Sequence, residues 1–146
     1  MSELRCVVSQ YTVSVLPEGH HDEDMFSLTV DRAPQMDGTV LWAVRHLSSC
    51  LNRSGEWSYE PIPSSRTAGW LKQHRFEFIE AMRLAYVAAP EITLNGMVAK
   101  DLAAEAAKTP LERATEAIEL NQQRQAGLDG DRIQRVLDRR VGKEVT

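Results

Sequence analysis

The densest run of chemically capable side chains in this sequence is His20-His21-Asp22-Glu23-Asp24. Imidazoles and carboxylates both bind divalent cations, so a metal centre is the first chemistry to weigh. Such a centre needs three or more ligands converging from fixed elements. These five residues are adjacent and follow Pro17-Glu18-Gly19, where a hairpin loop is expected. The run is read as a solvated loop. Cys6, Cys50, His46 and His74 could be combined into a zinc site, but their spacing fits no zinc pattern. Cys50 as a nucleophile would need a base and an orienting group, and no local signature supplies them. The chain has no Gly-rich phosphate loop, dinucleotide fingerprint or nucleophile elbow. The expectation is a protein that is not an enzyme and carries no metal or cofactor.

Binding chemistry has two sources. Trp57 and Tyr59 alternate along one strand and share a face, with Arg53 and Arg66 flanking them. Left uncovered, such a face is a surface for a protein partner, with Arg53 and Arg66 as its charged rim. Arg132, Arg135 and Arg139 recur at spacings of three and four, which lines them along one face of a helix. Arg140 and Lys143 add to that local positive charge. The stripe could contact phosphates, and nucleic-acid binding through it is the alternative function. It equally suits a solvated helix face with cations near its C-terminus. No aromatic is interleaved for base stacking, so nucleic acid stands second.

Charge and composition restrict the classes further. The 146 residues carry 17 basic and 21 acidic side chains, a net charge of −4. Residues 1–63 hold 4 basic and 9 acidic groups, whereas residues 109–146 hold 7 of each. A whole-protein basic field of the kind that drives nonspecific DNA binding is therefore missing. Apolar residues make up 42% and charged residues 26%, close to globular averages, which excludes a fibre or wholesale disorder. No apolar run approaches the roughly 20 residues that span a bilayer. The first ten residues lack a basic stretch followed by an apolar one, so a cytoplasmic location with reduced Cys6 and Cys50 is expected.

The elements that must position these residues are strands first and helices second. Alternation over Tyr11–Val15, Phe26–Val30, Val40–Leu47 and Glu56–Glu60 predicts four strands, mostly antiparallel because their connections are short. Helical spacing of Phe78, Ile79, Met82, Ala85, Tyr86 and Ala89 predicts a helix over 74–89 that packs on the sheet and ends at Pro90. Ile92–Gly96 is a short extended piece closing in an Asn-Gly turn, and the Ala-rich Met97–Lys108 predicts a second helix. Thr109-Pro110-Leu111-Glu112 is a capping box with proline at the first helical position. It predicts a helix from 110 to about 126 that stops at Gly127, then a last helix over about 130–141. Their apolar stripes are thin, so these two helices could pack as an αα-hairpin, project as an arm, or pair with another copy of the chain.

Trp42–Arg45, Cys50-Leu51-Asn52-Arg53-Ser54-Gly55-Glu56-Trp57, Glu60-Pro61, Pro63–Arg66, Trp70-Leu71, His74–Phe76, Ala81–Ala85 and Thr93–Gly96 form a further pattern. Over about residues 8–106 it resembles small uncharacterised proteins of actinobacteria and their phages. The Arg-heavy composition, 13 Arg against 4 Lys, agrees with high-GC genomes. The resemblance implies a small cytoplasmic accessory protein, expressed from a phage or its host, and assigns no functional residue. The expected fold is α+β: an α+β domain over 1–108 and a helical C-terminal extension of two helices over 109–146. The expected function is non-catalytic binding of a host or phage macromolecule.

Overall fold

The computed structural model describes residues 3–144, with side chains through residue 139. Contacts divide the chain into two compact units, Met1–Ala106 and Ala107–Thr146.

The first unit is α+β. Strands β1 (Gln10–Val13), β2 (Leu28–Pro34), β3 (Val40–His46), β4 (Ser49–Leu51) and β5 (Trp57–Tyr59) form an antiparallel sheet in sequential order. The sheet thus has five strands where the sequence pattern indicated four. The added strand is β4, only three residues long and too short to show alternation. It is reached through Leu47-Ser48, a two-residue turn without glycine, asparagine or proline, in which Leu47 takes a left-handed φ of 53°.

One face of the sheet forms the core with helix α2 (Phe78–Ala88). Leu28, Val30, Val44 and Leu51 of the strands meet Phe26, Phe76, Ala81, Ala85 and Ala89, all buried. Alanines at four-residue spacing on this side of α2 let its backbone lie close to the sheet. The inward stripe is rotated from the sequence expectation, because Ile79 and Tyr86 are exposed while Ala81 is fully buried. The helix expected over 74–89 is also divided. Helix α1 (Ala68–His74), capped by Thr67 Oγ1 accepting from the Trp70 amide, stops where Arg75 turns extended. Phe76 then exchanges two backbone hydrogen bonds with Trp42, and α2 starts after Glu77. This exchange extends the sheet beyond the end of short β4, which the sequence alone does not reveal.

After a 3-10 turn at Ala89–Glu91, strands β6 (Thr93–Leu94) and β7 (Met97–Val98) form a small hairpin. Asn95 and Gly96 are its two loop residues, at φ 52° and 77°, the pair of positive values that a type I′ turn requires. Helix α3 (Ala99–Ala106) follows at once, its first amide donating to the Ile92 carbonyl. The Asn-Gly hairpin signal and the helical signal beyond it therefore both hold, side by side.

The second unit is one helix, α4 (Pro110–Glu144), of 35 residues. The capping box forms: the Glu112 amide donates to Thr109 Oγ1 and the Thr109 amide to Glu112 Oε2, each at 3.1 Å. The expected stop at Gly127 and the division into two helices are not observed. A glycine ends a helix by adopting positive φ, and neither Gly127 nor Gly130 does so. Gln125 donates to Asp129 across Gly127, a four-residue pairing that belongs to a continuous helix.

Candidate functional site

Strand β5 is the last strand of the sheet, and all three of its residues are exposed. Its register with β4 places Cys50 opposite Ser58, Ser49 opposite Tyr59 and Leu51 opposite Trp57. The Glu60 amide bonds to the Ser48 carbonyl and the Asn52 amide to the Glu56 carbonyl. In an antiparallel ladder bonded and non-bonded pairs alternate, so the backbone N–H and C=O groups of Trp57 and Tyr59 point away from β4. Their side chains fall on one face, as expected from the alternation. Trp57 meets His46 edge to face at a centroid distance of 6.0 Å. His46 Nε2 lies 2.7 Å from the Met25 carbonyl. Beside them is a groove of about 440 Å³ lined by His46, Leu47, Trp57, Ile92 and Leu94 among others.

The opposite face of the sheet carries an ion network that no sequence spacing announced. Glu60 accepts from Arg45 Nε at 2.7 Å and Arg45 Nη2 at 2.9 Å, and from Arg75 Nη2 at 2.8 Å. Arg66 Nη2 lies 3.4 Å from the same carboxylate, and Arg45 Nη1 also reaches Asp31 at 3.1 Å. Burial alone would push the Glu60 carboxyl up, but hydrogen bonds from Arg45 and Arg75 outweigh it and hold it at about 2. The Arg45 guanidinium is pushed up, chiefly by its bond to Glu60, against the effect of burial. Arg75 is 2% exposed and covers Cys50, with Nη1 3.7 Å from its sulfur. Burial, then the Glu60 charge, raises the Cys50 thiol, which disfavours the thiolate form.

Trp70 stacks on the His74 ring at 4.1 Å, and the Arg75 and Arg66 guanidiniums lie 5.0 and 5.5 Å from its ring centre. His74 is buried, and its Nδ1 bonds to the Trp70 carbonyl at 2.7 Å. Its Nε2 has no partner among the described residues.

The two arginines expected at the rim of the Trp57/Tyr59 face are engaged elsewhere. Arg66 Nε donates to the Pro61 carbonyl, on the Glu60 side. Arg53 donates to the carbonyls of Lys72 and Arg75 and to Glu80 Oε1, with its guanidinium 5.1 Å over the Phe76 ring. Arg53 thereby ties the β4–β5 turn to the junction of α1 and α2. Arg132, Arg135 and Arg139 are exposed on α4 at helical spacing. Arg140 and Lys143 lie outside the residues whose side chains are described.

Cys6, Cys50, His46 and His74 do not converge: Cys6 is exposed, and the other three are held by the separate partners given above. Among the described residues, the metal-capable group is His20, His21 and Asp22, whose ligand atoms lie within 4.8 Å of one another. His20 Nδ1 accepts from the Asp22 amide, and His21 Nε2 sits 3.1 Å from the Asp22 carboxylate. These contacts are within the β1–β2 loop, which closes on itself through Pro17–His20 and His20–Glu23 backbone bonds. No helix among the described residues is long and apolar enough to cross a membrane. The chain matches no protein-family model, no curated protein and no solved structure.

Proposed function

We propose that this chain is a non-catalytic interaction protein that binds an extended segment of a protein partner along the open edge of β5. The observation that carries the reading is the pair Trp57 and Tyr59, with backbone groups directed off the sheet and side chains exposed. An incoming strand would bond to those groups, and the apolar walls of the adjoining groove would take one of its side chains. The test is capture from lysate by the full chain, with and without nuclease treatment, read by mass spectrometry. One protein should be enriched, then lost with Trp57→Ala and with Tyr59→Pro, which deletes the outward N–H at an edge position that tolerates proline. The triple variant Arg132→Gln/Arg135→Gln/Arg139→Gln should keep it. Equal capture by Tyr59→Pro, or recovery of the bait alone, refutes the reading. Capture that disappears on nuclease treatment and in the triple arginine variant transfers the function to nucleic-acid binding by α4.

A further inference from the structure

Strand β5 presents the same pattern from either end. Trp57 and Tyr59 flank Ser58, and both turn their backbone N–H and C=O groups off the sheet. Such a triplet is self-complementary about a two-fold axis through its central residue, the symmetry of an isologous contact. With two copies antiparallel and Ser58 opposite Ser58, Trp57 of each copy faces Tyr59 of the other. Each of these two pairs then exchanges both of its backbone hydrogen bonds. The serines become the non-bonded pair between them, the closest approach in a ladder, with Cα atoms about 4.5 Å apart. Serine is small enough for that position, and its hydroxyl can bond across the strands.

We propose that, without its partner segment, the β5 edge pairs in this register with the β5 edge of a second copy, joining two sheets into one. The side chains agree with the backbone. Tyr59 is 74% exposed, and in this register it gains Trp57 of the second copy as its cross-strand neighbour. Aromatic pairs of this kind stabilise antiparallel strands. Glu56 comes opposite Glu60 of the second copy, where a bare like charge would oppose the pairing. Glu60 already holds Arg45, Arg66 and Arg75, so Glu56 meets a carboxylate whose charge is neutralised. Residues 53–59 are exposed throughout, and β5 itself contains neither the lysine nor the proline that guards many edges. Pro61 has no N–H to donate, which stops the ladder just beyond Glu60. Self-pairing shields the edge until the partner segment displaces the second copy, an inference that rests on β5 being the docking edge.

The test is sedimentation equilibrium of the full chain together with disulfide trapping. A contact this small belongs to the weak class, so association should be followed up to about 1 mM. The parent should pass from monomer to dimer within that range. Tyr59→Pro should stay monomeric, and Trp57→Ala should weaken the dimer about tenfold through the loss of both aromatic pairs. Trapping uses a Cys6→Ser/Cys50→Ala background, since Cys6 is exposed and Cys50 stands opposite Ser58 in the same chain. There Ser58→Cys should form a covalent dimer with oxidised glutathione, because the facing Cα atoms lie within a disulfide's span. Tyr59→Cys should not, as its two copies stand two residues out of register. A parent monomeric at the top of the range, a dimer that survives Tyr59→Pro, or equal trapping at both positions overturns the self-pairing. In that event, lysate capture still lost with Tyr59→Pro keeps the docking-edge reading, whereas capture unaffected by Tyr59→Pro refutes that reading too.

Discussion

Replacing Glu60 by glutamine removes the single carboxylate on which Arg45, Arg66 and Arg75 converge. The Glu60 side chain is 14% exposed, so solvent screens the network only partly. Its pKa falls from 4.5 for a free glutamate to about 2 in the fold, worth about 3 kcal/mol of stability. The folded value lies below the unfolded one. The contribution is therefore complete above pH 4.5 and disappears as the pH falls from there toward 2. Glu60→Gln should cost about 3 kcal/mol or more at pH 7, because Arg75 stays buried after losing its counter-charge. Urea unfolding should be followed by tryptophan fluorescence from pH 7 to 2.5. Trp42, Trp57 and Trp70 all belong to the first unit, so α4 is silent in this assay. The difference between parent and variant should be flat above pH 5 and shrink steadily below 4.5. Carboxylates outside this network cancel in that difference. A variant within about 0.5 kcal/mol of the parent at pH 7, or two parallel pH curves, would refute the argument.

Arg53→Ala should destabilise the same unit by about 2 kcal/mol, through the loss of two carbonyl contacts and the packing on Phe76. Its partly exposed pair with Glu80 adds little. A urea midpoint unchanged from the parent would show that the turn holds without it. In α4, Gly127→Ala and Gly130→Ala should each raise helix stability by about 1 kcal/mol, since both are helical and an added Cβ meets nothing within 4 Å. Slower amide exchange across residues 123–134 checks this, and unchanged or faster exchange contradicts a continuous helix there.

Local signals were legible wherever neighbouring residues alone settle the geometry. The capping box at Thr109 and the alternation of Trp57 and Tyr59 are of that kind, and both take the geometry their spacing specified. Gly127 misled because the same residue type serves a helix interior or a helix end. The choice rests on φ, which composition does not encode. Strand β4 was missed because three residues cannot display a period, and its pairing with β3 and β5 is what holds it extended.

The sequence by itself determined the class: an antiparallel meander followed by helices, with a capped helix at its C-terminal end. Alternation, helical spacing and caps are short-range properties, written in adjacent residues. Tertiary structure alone decided which charges meet. Asp31, Arg45, Glu60, Arg66 and Arg75 come from separate strands, loops and a helix end, and no spacing links them along the chain. Only the registers β2–β3, β3–β4 and β4–β5 carry Arg45 between Asp31 and Glu60, and only the extended break at Arg75 turns its guanidinium under the sheet. Coulomb attraction acts on distance in space, and that distance exists only once the sheet has folded.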